Sequence, residues 1–117
     1  MGYELRVVRE SPLAFAELAK AIAPAGFELS AAEEILARHG GDAHAVARWR
    51  GEIVGEPGSD WHVAQLTRLS SVLGGRLVGE DGEVYALTDG VVEVIANGNA
   101  AEIGKFDKIV AAGPDSW

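Results

Sequence analysis

The chain has 117 residues and a net charge of −8, and its length allows one domain with one hydrophobic core. It contains no cysteine, so disulfides, thiolate nucleophiles and cysteine-ligated zinc are excluded. Residues 1–50 carry a net charge of −1 and residues 51–117 carry −7. Nucleic acid binding needs clustered Lys and Arg, so this distribution disfavours a nucleic acid ligand and favours a basic protein partner. No apolar run approaches the ~20 residues of a membrane span, and the charged start MGYELRVVRE lacks a signal segment. We expect a cytoplasmic protein with no membrane association.

The N-terminal third predicts one strand and two helices. Residues 3–8 alternate between apolar and polar side chains, as a strand with one buried face does. Ser11-Pro12 is a typical helix start, and the apolar spacing that follows predicts a helix to about Ala23. Ser30 to Glu33 matches the capping box, and a glycine pair follows His39, so we expect a short second helix between them.

The middle of the chain predicts a strand pair and a central helix. Residues 43–50 alternate like a strand, and a turn leads into a second one at residues 52–54. Residues 55–58 contain a proline and two glycines and form a loop. A helix capped by Ser59 or Asp60 then extends to Leu73, where Gly74-Gly75 ends it.

A three-stranded meander follows the central helix. Valine-rich runs at residues 76–80, 83–88 and 91–96 are separated by Asp81-Gly82 and Asp89-Gly90, both typical of two-residue hairpin turns. The resulting register places Tyr85 opposite Val78 on one side and Val94 on the other, with Leu87 and Val92 on the same face.

The same register places Glu80 opposite Glu83, an unfavourable like-charge pair. Either the first turn is wider than two residues or that corner binds a cation.

Beyond the meander, Asn97-Gly98 predicts a turn and Asn99 the cap of a last helix, with Glu102 three residues later. Gly113-Pro114 ends that helix. The fold class is therefore α+β: a single domain over residues 1–117, with a largely antiparallel sheet of about five strands and helices packed over one face.

The favoured function is a non-enzymatic, acidic protein-binding module. Its partner surface is expected around Glu80, Asp81, Glu83 and Glu93, with a basic protein as partner, or a second copy of the chain through an edge strand or an exposed tryptophan. Trp61, in the first turn of the central helix, has two alternative roles. It is either a buried staple of the helix start or an exposed anchor for the partner.

The alternative is a small-molecule binding or catalytic domain with an aromatic pocket between the sheet and the helices. Trp49, Tyr85, His44 and His62 are its candidate lining residues. The histidines show no metal-binding spacing, and neither a phosphate-binding loop nor a nucleophile motif occurs. We therefore predict no metal site, no cofactor and no catalytic residue.

The segment from Leu66 to Leu87, LTRLSSVLGGRLVGEDGEVYAL, contains a helix, a glycine break and the pattern V-G-[DE]-[DE]-G-E-x-Y. It resembles the closing segment of small, uncharacterised bacterial proteins whose chains also start with a Y-E-L-x-V pattern. Some of these proteins look like immunity partners of bacterial toxins. The resemblance implies a toxin-neutralising or adaptor role for this chain and no catalytic residues. This chain differs in having further elements after Leu87.

Overall fold

The computed structural model describes residues 3–11 and 14–114. In this part of the chain, three α-helices accompany one antiparallel sheet of nine strands. The strands are β1 (Leu5–Val8), β2 (Glu28–Leu29), β3 (Glu34–His39), β4 (Asp42–Trp49), β5 (Ile53–Gly55), β6 (Arg76–Gly79), β7 (Val84–Thr88), β8 (Val91–Ala96) and β9 (Asn99–Lys105). The helices are α1 (Phe15–Ile22), α2 (Asp60–Val72) and α3 (Phe106–Ala112), and a 3-10 turn at Ala23–Ala25 extends α1.

The sheet consists of two meanders joined by the first strand. Its strand order is β2-β3-β4-β5-β1-β6-β7-β8-β9. Leu5 lies opposite Gly55 of β5 on one side and opposite Gly79 of β6 on the other. The α+β class and the antiparallel pairing are confirmed, but the sheet has nine strands where the sequence predicted about five.

Two of the extra strands replace predicted helices. Ser30 to His39 contains β3, and the Ser30 hydroxyl accepts hydrogen bonds from the N–H groups of Ala32 and Glu34, each at 3.2 Å, in the turn before that strand. The capping-box serine thus shapes a turn, with Glu33 at φ 62°. The predicted helix from Asn99 is likewise wrong in its first half, because Asn99–Lys105 is β9 and α3 begins only at Phe106.

Tight hairpin turns explain both errors. Gly40-Gly41, Asp89-Gly90 and Asn97-Gly98 each have positive φ at both positions and join strands whose flanking residues lie directly opposite each other. This geometry is that of the two-residue type I′ turn, whose twist matches antiparallel strands. A glycine pair and an Asn-Gly pair therefore reverse the chain between strands here instead of bounding helices.

The first turn of the second meander is wider than two residues. Gly79 and Glu83 flank a three-residue loop, with Gly82 at φ 82° and the Gly79 N–H donating to the Glu83 carbonyl at 2.9 Å. Tyr85 consequently lies opposite Leu77, not Val78, while the predicted pairing of Tyr85 with Val94 is confirmed. The predicted Glu80–Glu83 cross-strand pair is wrong, because Glu80 lies inside the loop.

Helix α2 packs against the middle of the sheet. Ser59 is its N-cap, and its end at Leu73 followed by Gly74 at φ 70° is as predicted. A Cβ on Gly55 would lie 2.6 Å from the Val46 carbonyl oxygen and 2.8 Å from a Leu66 methyl group. Gly55 therefore lets the helix approach the sheet closely.

The other two helices differ from the prediction in where they begin. α1 starts at Phe15 with Ala14 as an N-cap that makes no side-chain hydrogen bond, so the predicted start at Ser11 is wrong, and Pro12 lies outside the described residues. α3 ends at Gly113, as predicted.

A β-bulge in β4 decides which side chains face the helices. Ile35 lies opposite Ala47 but Leu36 lies opposite Ala45, so Val46 is an extra residue. Side chains alternate along a strand, and one extra residue reverses that alternation. His44 thereby shares the helix-covered face with Ala47.

The two faces of the sheet have different character. The buried strand residues, including Leu5, Ile35, Leu77 and Val92, form the core together with residues of α1 and α2. We call the opposite face the open face. A row of directly paired residues runs across its strands and contains both charged and apolar side chains. From β3 to β9 the row is Glu34, Arg48, Val54, Arg6, Val78, Val84, Ile95 and Ala100.

Candidate functional site

Trp61 lies at the centre of the helix-covered core. It is fully buried in the first turn of α2, and the rings of His39, His44 and His62 contact it edge-on, with centroid distances of 6.1, 5.6 and 5.3 Å. His44 reaches it because of the bulge at Val46. Within the described residues, the Nε1–H of Trp61 has no hydrogen-bond acceptor.

This position separates the two roles predicted for Trp61. The Trp61 side chain has 0% exposure and so offers no surface to a partner, which favours the staple role over the anchor role. It instead fixes the start of α2 to β3 and β4, where Ser59 accepts a hydrogen bond from the His62 N–H. The Ser59 hydroxyl also lies 2.9 Å from Nδ1 of His62.

The carboxylate of Glu83 is the centre of a second cluster. The Tyr3 hydroxyl donates to its Oε2 at 2.5 Å and the Tyr85 hydroxyl donates to the same oxygen at 2.9 Å. The Asp81 N–H donates to Oε1 at 3.2 Å and to the Tyr3 hydroxyl oxygen at 3.0 Å. We call Tyr3, Glu83 and Tyr85 the tyrosine–carboxylate cluster.

The cluster shifts the ionisation of its members. Burial alone raises the pKa of the Glu83 carboxyl, but the hydrogen bonds from Tyr3, Tyr85 and the backbone outweigh it and hold that pKa below its ordinary value. Burial and the hydrogen bond to Glu83 raise the pKa of both Tyr85 and Tyr3. Glu83 is therefore an ionised carboxylate held by internal donors.

The four predicted acidic residues do not form one surface. Glu83 faces the helix-covered side with Tyr85, whereas Glu93 lies on the open face, as shown by its pairing with Ala86. Glu80 and Asp81 are exposed in the loop between β6 and β7, and the Glu80 carboxylate accepts a hydrogen bond from the Glu4 N–H at 2.6 Å. Glu80, Asp81 and Glu93 remain available to a partner, while Glu83 is occupied by the tyrosines.

Glu93 has a partner in the fold that the sequence did not suggest. It lies directly opposite Glu102 of β9, so two carboxylates neighbour each other on the open face. Neither forms an ion pair with a basic side chain of the described residues. Ile95, two residues along β8 on the same face, is 37% exposed. Glu102 was missed because the residues from Asn99 were assigned to a helix, although Asn97-Gly98 is itself a hairpin signal.

The residues predicted to line an aromatic pocket are divided among three clusters. Trp49 contacts Phe15 of α1 with ring centroids 5.3 Å apart, Tyr85 donates to Glu83, and His44 and His62 pack on Trp61. The expected pocket between sheet and helices is therefore not formed by these four side chains together.

A cleft of about 410 Å³ lies instead on the open face beside the bulge, and residues of β1, β3, β4 and β5 line it. Its lining includes Arg6, Arg48 and Arg50 together with Glu34 and Glu52. Nη1 of Arg6 lies 3.5 Å from Oε1 of Glu52 and forms an ion pair with it. Arg48 and Arg50 form no ion pair in the described part of the chain. The sequence did not predict this cleft, because it depends on the bulge.

Residues 3–11 and 14–114 contain no group of three or more His, Asp or Glu side chains arranged to hold a metal ion. None of the helices formed by these residues has the length and hydropathy needed to cross a bilayer. Comparisons of the chain with protein-family models, with curated proteins and with solved structures found no match.

Proposed function

We propose that this protein is a non-enzymatic, acidic binding module of the toxin-neutralising (immunity) or adaptor kind, which binds a basic protein through its open face. The binding surface consists of Glu93 and Glu102, with Glu80 and Asp81 at the end of the sheet that also carries the Asn97-Gly98 turn. The absence of cysteine fits a protein that acts in the reducing cytoplasm.

The observation that carries the proposal is the Glu93–Glu102 pair. Like charges directly opposite each other on neighbouring strands destabilise a sheet by up to ~1 kcal/mol. A Lys or Arg from a partner would remove this repulsion and gain two charge-assisted hydrogen bonds. The net charge of −7 over residues 51–117 would also accelerate encounter with a basic partner.

The test is affinity capture from a lysate of the source organism, followed by binding measurements on the purified captured protein. The variant Glu93→Lys/Glu102→Lys should lose the partner, with an affinity at least about tenfold lower and a weaker dependence on salt. The matched control is Glu10→Lys/Glu17→Lys, which makes the same change of charge at exposed residues outside the β8–β9 ladder. Equal loss in both variants, or retention of the partner by both, would contradict the proposal.

A second candidate function is binding of a small zwitterion in the open-face cleft beside the bulge of β4. The specific observation is that Arg48 and Arg50, without ion pairs among the described residues, share this cleft with glutamates. Arginine recognises carboxylates and glutamate recognises amines. A panel of free amino acids should raise the melting temperature of the wild type but not of Arg48→Ala/Arg50→Ala, and equal responses of the two proteins would eliminate this candidate.

A further inference from the structure

Strand β9 forms one end of the sheet, and no other strand of residues 3–11 and 14–114 pairs with its outer edge. The strand order ends with β9, and residues 99–102 are exposed. The opposite end of the sheet is β2, which has only two residues. An exposed edge strand is a template on which another chain adds as a further strand.

We infer that the basic partner docks by adding an extended segment to the free edge of β9. This inference rests on the proposed function and specifies its binding mode. It assigns the contact to residues 99–102, the stretch before Ile103, which is the extra residue of a bulge on β9.

The hairpin geometry identifies the backbone groups that are available. The two-residue turn at Asn97-Gly98 makes Ala96 and Asn99 its closing pair, which exchanges both hydrogen bonds. Such pairs alternate along an antiparallel ladder, so Val94 and Ala101 form the next one. The N–H and C=O groups of Ala100 and Glu102 therefore point away from β8, toward the free edge.

The side chains beside this edge define the sequence that fits. On an added strand, the residue opposite Glu102 on the open face would lie about 4.5–5.5 Å away, Cβ to Cβ, with Glu93 behind it. A Lys or Arg there would neutralise both carboxylates. Two residues along, the small Ala100 leaves space beside the exposed Ile95, which suits an apolar side chain. The preferred segment thus carries a basic and an apolar residue two positions apart.

A second copy of this chain fits the edge poorly. Each copy carries a net charge of −8, and pairing of two β9 edges would bring the Glu93–Glu102 pairs of both copies together. Repulsion between like charges disfavours that arrangement, whereas a basic segment gains from the same charges.

The probe is a fluorescent synthetic peptide with a repeating Lys-Thr-Val-Thr sequence, whose binding to the whole protein is followed by anisotropy. Its control is the same peptide N-methylated at each Lys and Val residue. This peptide keeps the charge and the side chains but lacks the backbone N–H donors that would face β9. We expect the N-methylated peptide to bind the wild type about tenfold or more weakly, since backbone hydrogen bonds of ~1 kcal/mol each are lost. Equal affinities, or no binding of either peptide, would overturn the inference.

Variants of β9 test the same contact by changing the protein instead of the peptide. Ala100→Pro removes one outward N–H without removing a hydrogen bond to β8, and proline is tolerated on edge strands. It should weaken binding of the unmodified peptide about tenfold, while Ala100→Thr should not, with both variants retaining the wild-type circular dichroism spectrum. If only Glu93→Lys/Glu102→Lys weakens binding, the charge-based function stands and strand addition is wrong. If none of the three variants weakens binding, both proposals are wrong.

Discussion

The carboxylate of Glu83 lies directly over Gly79, so close that a Cβ at residue 79 would overlap with it. Gly79 does not have a positive φ, so its backbone conformation does not require glycine. A side chain at residue 79 would instead displace the Glu83 carboxylate from the tyrosine–carboxylate cluster. Glu83 thus links the turn between β6 and β7 to the N-terminal segment through Tyr3, beside the hydrogen bond from the Glu4 N–H to the Glu80 carboxylate.

Gly79→Ala should destabilise the protein by about 1–3 kcal/mol, because the carboxylate must leave the hydrogen bonds of two phenols. In the Glu83→Ala background the same change should be neutral or should stabilise by a few tenths of a kcal/mol, since alanine restricts the unfolded chain. Urea unfolding of the four proteins in this double-mutant cycle measures the coupling. Additive effects would show that the two residues do not interact.

Glu83 should make stability depend on acid pH. Its pKa is lower in the folded protein than the ordinary value of 4.5, so its contribution is complete above pH 4.5 and is lost as the pH falls through the lowered folded pKa. The difference in the free energy of unfolding between wild type and Glu83→Gln should therefore be constant near neutrality and shrink below pH 4.5. Tyr85→Phe, which removes one donor, should reduce this pH dependence. Parallel curves for wild type and Glu83→Gln would contradict the assignment.

The two tyrosines of the chain should resist ionisation in alkali. Their pKa values are raised above 10.0 in the folded state, so the stability they contribute is complete below pH 10 and is lost as the pH rises toward the folded values. Near-ultraviolet phenolate absorbance should therefore increase only above pH 10, and at lower pH in Glu83→Gln than in the wild type. Ionisation of both tyrosines at pH 10, while the far-ultraviolet dichroism remains native, would argue against the cluster.

Replacement of the buried indole should affect stability and not binding. Trp61→Ala should lower the free energy of unfolding by about 3–5 kcal/mol, as is typical for large buried aromatic residues, while the affinity of folded molecules for a partner stays unchanged. Trp61→Phe is the matched variant, because it keeps an aromatic ring and removes the Nε1–H that lacks an acceptor among the described residues. It should cost less than the alanine variant. A loss of affinity without a loss of stability would return Trp61 to the binding surface.

The sequence predicted the elements whose signals are purely local. Asp89-Gly90 was assigned to a two-residue turn and is one, because both residues adopt the positive φ that such a turn requires. Gly40-Gly41 was interpreted as the end of a helix that begins with the capping box at Ser30. Asn97-Gly98 was predicted to be a turn, but a helix capped by Asn99 was expected to follow it. Pairing with β4 and β8, which a local pattern does not reveal, turned both segments into strands.

The candidate site was less predictable than the fold. Burial of Trp61 follows from its size and place in the helix, but the gathering of three histidines around it depends on the bulge at Val46 and on the end of α3, where Gly113 lies against His39. The separation of Glu83 from Glu93 depends on strand alternation, which places them on opposite faces. Glu102 became a site residue only through its register with Glu93.

The position of β1 between the two meanders has a consequence for the order of folding. Each meander is built from neighbouring strands that pair across short turns, whereas β1 must pair residue 5 with residues 55 and 79. Closing such long loops costs more entropy than closing a hairpin, so both meanders can form before β1 is inserted between them. The N-terminal strand then pairs late in folding. It pairs with the edges of both meanders at once and joins two half-sheets into one cooperative unit.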